Sequence, residues 1–307
     1  MTSGTPGLPA PGLPAPDLLA PGLDGTAPYG ITAGPDGALW VTLTGSGEIA
    51  RFDPVTHGLE RHPLDAADCG PMVIAPGPDG ALWFTRRDHR VGRITTGGEA
   101  VSFALPTPGS GPYGIAAGPD GALWYTAMNA DRVGRISTGG EVTEYPLGTT
   151  GGFPSALAAG ADGALWCTLN QANAIARIDT GGAVTVHPLP TPAAGPVGIT
   201  AGPDGALWWV EIAAGRVGRI TTGGEISGFP LPDPAARPHA IAADPTGDGC
   251  WFTEWGAGRI GHVAPDGTFR HARLPAPGAE PHGLAVTADG TVWAALESGR
   301  LARLRPA

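Results

Sequence analysis

Tryptophan recurs along the chain at intervals of 41 to 43 residues, each time within a variant of the phrase PYGI..GPDGALW.T. The seven positions are Trp40, Trp83, Trp124, Trp166, Trp208, Trp251 and Trp293. Internal repeats of this length are typical of propellers and solenoids, in which each unit buries its apolar face against its neighbours. Because the repeats run from Tyr29 to the end of the 307 residues, they predict a single repeat domain.

The pattern inside each repeat indicates strands rather than helices. In the third repeat, short apolar or alternating runs at 114–117, 122–126, 133–136 and 141–147 are separated by the turn sequences GPDG, MNAD and STGG. Glycine accepts positive φ, and Asp or Asn hydrogen-bonds its own backbone, so these sequences favour turns. No run is long enough for an amphipathic helix. Four antiparallel strands in each of seven repeats predict an all-β, seven-bladed β-propeller.

The two ends of the chain complement each other. After Trp293 the last repeat has one more strand candidate, 300–305, and lacks the fourth strand of the earlier repeats. Because an unpaired edge strand invites aggregation, we expect residues 17–23 to supply the missing strand and close the ring. Residues 1–16 are rich in Pro, Gly and Ala and are expected to form a flexible extension, which leaves 17–307 as the propeller domain.

Charge and cysteine usage limit the partners. The chain has 18 basic residues, all Arg, against 28 acidic ones, and the net charge of −10 argues against nucleic acid or an anionic membrane surface as partner. No segment is long and apolar enough to span a membrane. Three widely spaced cysteines, Cys69, Cys167 and Cys250, favour a reducing cytoplasm. A closed ring with a polar surface needs no second copy, so we expect a monomer.

The repeat also separates scaffold from function, because positions that vary around the ring are free to carry a site. One variable position follows the Pro that opens each innermost strand and reads Tyr29, Met72, Tyr113, Ser155, Val197, His239, His282. Another lies three residues after each repeat Trp and reads Leu43, Arg86, Ala127, Leu169, Glu211, Glu254, with Glu297 one residue further on in the last repeat. Since these strand ends share a face of an antiparallel blade, both sets are expected to ring one mouth of the central channel.

Acidic and histidine side chains concentrate in one sector of that predicted mouth. The last three repeats contribute Glu211, His239, Glu254, His282 and Glu297, and Glu280 lies two positions before His282. Carboxylates gathered in a partly buried funnel repel each other, and a bound cation would neutralise them. Carboxylate oxygens favour Mg²⁺ or a similar hard ion over Zn²⁺.

From Tyr29 to its end the chain resembles the virginiamycin B lyase (streptogramin B lyase) family. The phrases that carry the resemblance are APYGITAGPDGALW, GPVGITAGPDGALWWVEI, ARPHAIAA, WFTEWGAGRIG, AEPHGLAV and WAALES. The resemblance implies that His282 is the general base, that Glu280 and Glu297 bind magnesium, and that His239 and Tyr29 contact the substrate. Glu211, Glu254 and Arg237 are candidate secondary residues of the site.

The reaction implied by the family is the opening of a small cyclic depsipeptide antibiotic by elimination at its ring ester. A histidine that titrates near neutral pH can remove the α-proton of the threonine residue whose side-chain oxygen forms the ester. Breaking the Cβ–O bond then leaves a dehydrated residue and a carboxylate, and no water enters the product. Two other functions are open at this point: a metal-dependent lactonase or esterase on the same ring, and a non-catalytic peptide-binding propeller.

Overall fold

The computed structural model describes residues 13–276 and 278–306. Within these residues the chain forms 28 strands and one short 3₁₀ helix, arranged as seven four-stranded antiparallel sheets. The seven sheets are the blades of a β-propeller, so the predicted fold class is confirmed. No helix in this part of the chain is long and apolar enough to cross a membrane.

The strands follow the repeat in chain order. After β1 (Asp17–Leu19), blades 1 to 3 contain β2 (Pro28–Ala33), β3 (Leu39–Leu43), β4 (Glu48–Phe52), β5 (Leu59–Pro63), β6 (Pro71–Pro76), β7 (Leu82–Arg86), β8 (Arg90–Ile94), β9 (Ala100–Ala104), β10 (Pro112–Ala117), β11 (Leu123–Ala127), β12 (Arg132–Ile136) and β13 (Val142–Pro146). Blades 4 and 5 contain β14 (Pro154–Ala159), β15 (Leu165–Leu169), β16 (Ala174–Ile178), β17 (Val184–Pro188), β18 (Pro196–Ala201), β19 (Leu207–Glu211), β20 (Arg216–Ile220) and β21 (Ile226–Pro230). Blades 6 and 7 contain β22 (Pro238–Ala243), β23 (Cys250–Glu254), the 3₁₀ helix Trp255–Ala257, β24 (Arg259–Val263), β25 (Phe269–Arg273), β26 (Pro281–Val286), β27 (Val292–Leu296) and β28 (Arg300–Leu304).

The N-terminal strand closes the ring. β1 pairs antiparallel with β28, with Asp17 opposite Arg303 and Leu19 opposite Leu301, and it supplies the outer strand that blade 7 lacks. The strand ends at Leu19, earlier than the predicted 17–23, because a turn follows it. Of the predicted extension, residues 13–16 have no regular secondary structure and 1–12 lie outside the described residues.

The core lies between adjacent blades. All seven repeat tryptophans are at most 2 % exposed. One buried cluster joins Trp124 and Val133 of blade 3 to Leu165 and Ile178 of blade 4, and similar clusters fill other gaps between neighbouring blades. Each tryptophan therefore holds two blades together, as expected for a repeat array.

A hydrogen-bonded triad repeats at the face where the second strand of each blade begins, here called the bottom face. In blade 4 the Asp162 carboxylate accepts hydrogen bonds from Trp166 Nε1 at 3.1 Å and from Arg177 Nε at 2.7 Å. Blades 1 to 5 share this arrangement, with the triads Asp36–Trp40–Arg51, Asp79–Trp83–Arg93, Asp120–Trp124–Arg135, Asp162–Trp166–Arg177 and Asp204–Trp208–Arg219. The Asp of the turn before each repeat Trp and the Arg of the third strand are thus parts of one structural unit.

The triad requires the first glycine of its turn. A Cβ atom at Gly118 would lie 2.4 Å from Trp124 Cδ1 and 2.6 Å from Asp120 Oδ1, which is too close for any side chain. In blade 7 the equivalent residue is Thr287, whose hydroxyl binds the Asp289 carboxylate at 2.6 Å, and Arg303 pairs instead with Asp17 of β1. In blade 7 the Asp289 carboxylate thus binds Thr287, and Asp17 of the ring-closing strand β1 is the carboxylate that pairs with Arg303.

Candidate functional site at the mouth of the channel

The opposite end of the channel, here called the mouth, is built on a backbone hydrogen bond that recurs in every blade. The residue before the first Pro of each innermost strand has a left-handed φ of 43 to 63°, and these residues are Ala27, Gly70, Gly111, Phe153, Gly195, Arg237 and Glu280. Its carbonyl accepts a hydrogen bond from the residue four places after the repeat Trp, which is in turn Thr44, Arg87, Met128, Asn170, Ile212, Trp255 and Glu297. These two positions and the residue after the Pro surround the mouth.

The predicted second ring position is therefore wrong by one residue. The residues three places after each Trp pair with the first Pro and are still within the strand, for example Glu254 opposite Pro238. All seven are at most 3 % exposed. Glu297 reaches the mouth because it is the fourth residue after its Trp, the position that Trp255 occupies in blade 6.

Glu211 and Glu254 consequently lie inside their blades and not in the predicted carboxylate cluster. Glu211 accepts a hydrogen bond from Trp209 Nε1 at 3.2 Å, and burial raises the pKa of its carboxyl. Glu254, fully buried, forms an ion pair with Arg259 and lies 3.2 Å from His271 Nδ1. Both carboxylates brace neighbouring strands of their own blades.

His282 and Glu297 form a close pair at the mouth. His282 Nε2 lies 2.9 Å from Glu297 Oε2, with the histidine side chain 13 % exposed and the carboxylate 44 % exposed. Their elements bring them together because the Glu297 N–H donates to the Glu280 carbonyl at 3.2 Å, next to the start of β26. An ionised carboxylate only accepts, so this contact orients the imidazole through an Nε2 proton. In this tautomer the lone pair of the neutral ring is on Nδ1, which is buried and has no hydrogen-bond partner among the described residues.

Two further predicted residues contact this pair. The Tyr29 ring centroid lies 4.5 Å from that of His282, and the His239 ring packs edge-on to His282 at 4.8 Å. Tyr29 Oη is hydrogen-bonded to Tyr113 Oη at 2.7 Å. Tyr29, Tyr113 and His239 also border a cavity of about 240 Å³ that continues into the channel between the innermost strands. The residues after the first Pro of each blade therefore converge as the repeat predicts.

Burial keeps the two neighbouring rings neutral. Desolvation, helped by the adjacent His282, lowers the pKa of His239 to about 3. Desolvation also raises the pKa of Tyr29 well above its ordinary value, and the Tyr113 hydroxyl adds to this effect. At neutral pH both side chains are uncharged, so each can donate a hydrogen bond to a carbonyl group of a ligand or accept one from an amide N–H.

Glu280 and Glu297 are the carboxylates that could hold a cation. Glu280 is partly exposed, its backbone is joined to Glu297, and no cationic side chain is paired with it among the described residues. In that same part of the chain no three His, Cys, Asp or Glu side chains are arranged as a complete metal site. Two carboxylates suit Mg²⁺, which usually retains several waters and takes one or two protein carboxylates, better than Zn²⁺.

A sequence model of the virginiamycin B lyase family matches residues 22–304. The chain belongs to this family. The match covers the ring from blade 1 to β28, including every mouth residue named above.

Solved structures of the family resemble the whole propeller. A streptogramin B lyase is 40 % identical with a TM-score of 0.91, covering 95 % of this chain and 97 % of that chain. A catalytically inactive histidine-to-alanine variant of virginiamycin B lyase from Staphylococcus aureus, solved with quinupristin, is 41 % identical with a TM-score of 0.91, covering 95 % and 99 % of the two chains. Virginiamycin B lyase from Saccharopolyspora erythraea is 57 % identical over 81 residues, 26 % of this chain and 27 % of that protein. This sequence match spans about a quarter of the length of the curated relative.

Two mouth residues of this virginiamycin B lyase family member were missed or undervalued from the sequence. The Trp255 ring lies 6.1 Å from His282, and the Arg237 guanidinium stacks over Trp255 at 5.7 Å. The sequence indicates Arg237 only as a candidate secondary residue and does not point to Trp255. The count of four residues from Trp293 to Glu297, applied to blade 6, would have found Trp255.

Proposed function

We propose that the protein is a magnesium-dependent carbon–oxygen lyase that linearises streptogramin B type cyclic depsipeptides by elimination at the threonine ring ester, and so inactivates the antibiotic. The observation that carries the proposal is the pairing of His282 with Glu297, beside His239 and Tyr29, in a chain whose family match spans residues 22–304. A basic ring held by a carboxylate and flanked by neutral hydrogen-bonding side chains suits proton abstraction from a bound peptide.

In the proposed reaction His282 removes the α-proton of the threonine residue. The electron pair of that C–H bond forms the Cα=Cβ double bond, the Cβ–O bond breaks, and its electrons remain on the departing carboxylate. The imidazolium that results is stabilised by the Glu297 carboxylate, which lies 2.9 Å away in the resting pair. Atoms balance without water, so the open product has the mass of the ring.

Glu280 and Glu297 are the proposed ligands of Mg²⁺, which would supply positive charge next to the ester carboxylate as negative charge develops. The neutral His239 and Tyr29 are proposed to bind substrate carbonyl or amide groups and to fix the threonine residue over His282. A relative's ligand supports this substrate class, since the Staphylococcus aureus variant was solved with quinupristin. We further propose that the enzyme acts as a monomer on this small molecule.

Mass spectrometry of a streptogramin B antibiotic after incubation with protein and Mg²⁺ tests the proposal. The expected product has unchanged mass and fragments as a linear peptide, and it is absent from a chelated sample and from the His282→Ala variant. A product heavier by one water would instead identify a lactonase or esterase. Binding without any reaction would favour a peptide-binding propeller.

A further inference from the structure

A buried threonine links successive blades just below the mouth. Two places after the repeat Trp, blades 1 to 4 and 6 carry Thr42, Thr85, Thr126, Thr168 and Thr253, all fully buried. In blade 1 the Thr42 hydroxyl accepts a hydrogen bond from the Gly30 N–H at 2.7 Å and donates to the Met72 carbonyl at 2.6 Å. Met72 follows the first Pro of blade 2, so one hydroxyl joins the innermost strands of two neighbouring blades.

In blade 6 this link ends on His282. Thr253 accepts a hydrogen bond from the Ala240 N–H at 2.9 Å and donates to the His282 carbonyl at 3.1 Å. The corresponding distances from hydroxyl to carbonyl in blades 1 to 4 are 2.5 to 2.7 Å. The contact is therefore a repeated feature of the ring, but in blade 6 the residue that it holds is the proposed general base.

His282 lies at a point where its own blade does not pair with it. In the β26–β27 ladder His282 and Gly283 lie opposite a single residue of β27 and form a bulge outside the regular pairing. The innermost strand of blade 1 approaches this bulge so closely that a Cβ atom at Gly283 would lie 2.4 Å from the Tyr29 carbonyl oxygen. The position of the His282 backbone therefore depends on the neighbouring blades, and Thr253 supplies the hydrogen bond from blade 6.

The hydroxyl is absent from the two blades that precede the proposed substrate-contacting residues. Blade 5 carries Val210 at this position, and blade 7 carries Ala295. Blade 6, which follows blade 5, contributes His239, and blade 1, which follows blade 7 in the closed ring, contributes Tyr29. Of the three proposed residues that follow a first Pro, His282 is thus the one whose carbonyl accepts from a threonine. Precise placement matters most for the base, since a misplacement of ~1 Å can cost ~10²-fold in rate.

We infer that Thr253 is a positioning residue of the proposed reaction, whose hydroxyl fixes the bulge at His282 and so sets the imidazole against Glu297 and the substrate. The inference rests on the proposed function and adds a residue that touches neither substrate nor metal. Thr253 is fully buried and contacts the backbone of His282, so its influence on catalysis passes through the placement of that ring. The 2.9 Å contact between His282 Nε2 and Glu297 Oε2 is the geometry that it maintains.

Removal of the hydroxyl at nearly constant shape tests the inference. Thr253→Val should lower kcat ~10- to 100-fold, because a base that is held less precisely reacts more slowly. KM should change by less than ~3-fold, and Thr253→Ser, which keeps the hydroxyl, should restore kcat to within ~3-fold of wild type. Thr168→Val is the matched control, since Thr168 makes the same link to the Val197 carbonyl at 2.7 Å. The control should lose a similar amount of stability in urea and keep the wild-type kcat.

A binding measurement separates positioning from a general loosening of the mouth. In His282→Ala the depsipeptide stays intact, and its Kd by calorimetry should agree within ~3-fold with and without Thr253→Val. If Thr253→Val does not fold, Thr253→Ala also lacks the hydroxyl and carries the same expectations, with rates normalised to the folded fraction. A wild-type kcat in the folded variant, a weakened Kd, or an equal loss of kcat in Thr168→Val would overturn the positioning role and leave the proposed function intact. Failure of wild type to open any streptogramin B ring would overturn the proposed function, and this inference with it.

Discussion

The two faces of the propeller differ in which groups repeat from blade to blade. At the bottom face five blades repeat the same Asp–Trp–Arg triad, with Trp–Asp distances of 3.0 to 3.1 Å. At the mouth all seven blades repeat the same backbone hydrogen bond, yet the side chains beside it differ from blade to blade. The contact that recurs from blade to blade is therefore made by side chains at the bottom and by the backbone at the mouth, which leaves the identity of the mouth side chains free to vary.

The largest expected effect is the loss of activity when a side chain of the mouth is removed. We expect His282→Ala to lower the rate of ring opening by ~10²- to 10⁴-fold, the usual contribution of a general base. Its free energy of unfolding should fall by less than ~1 kcal/mol, because the side chain is partly exposed at the mouth and lies outside the apolar clusters that join the blades. Single-turnover kinetics and urea unfolding measure the two effects. If His282→Ala were strongly destabilised and its folded fraction kept its activity, His282 would have a structural role and not a catalytic one.

The second prediction concerns a tryptophan that is buried between two blades and is remote from the mouth. Trp166 is fully buried, and its removal leaves a cavity, so Trp166→Ala should reduce the free energy of unfolding by ~3–5 kcal/mol. The activity per folded molecule should be nearly unchanged, because Trp166 is remote from His282 and Glu297. Urea unfolding with activity normalised to the folded fraction checks this. A specific loss of kcat at full stability would mean that the scaffold also tunes the site.

The fold could be predicted from the sequence almost completely, and the site only in part. Seven tryptophans at a constant spacing determine the blades, and the incomplete last repeat predicts the closing strand, although not that it ends at Leu19. Tyr29, His239 and His282 were placed correctly because each follows a proline whose position in the strand is fixed. Glu211 and Glu254 were misplaced because one residue of register decides between the blade interior and the mouth.

Thr287 shows why the side-chain partners in blade 7 could not be predicted from the sequence. The loss of the turn glycine in blade 7 is visible in the printed chain, but its consequence depends on a contact between the Thr287 hydroxyl and Asp289. The compensating carboxylate, Asp17, comes from the other end of the chain. Local patterns do not contain such long-range exchanges.

The third prediction concerns substitutions at the mouth that conserve size and remove a negative charge. Glu280→Gln and Glu297→Gln keep size and remove one anionic oxygen ligand each, so we expect at least ~10-fold weaker Mg²⁺ binding for each variant. Calorimetry with Mg²⁺ alone measures this without reference to activity. Glu254→Gln is the matched control, since that carboxylate is buried in its blade and should affect stability more than Mg²⁺ affinity. Equal Mg²⁺ affinity in all three variants and wild type would place the ion elsewhere.

The smallest effect we expect is the acid response of the bottom face. Burial raises the pKa of Asp162, but hydrogen bonds from Arg177 and Trp166 outweigh it, so the pKa is lowered in the folded protein. A carboxyl with a lowered folded pKa contributes stability above its unfolded pKa of about 3.9, and this contribution is lost as pH falls through the folded value. Asp162→Asn should therefore be less stable than wild type at neutral pH, and the gap between their urea midpoints should shrink below about pH 4. Since four other blades carry the same triad with the same direction of shift, a gap that widened in acid would show that the triad is not held by charge.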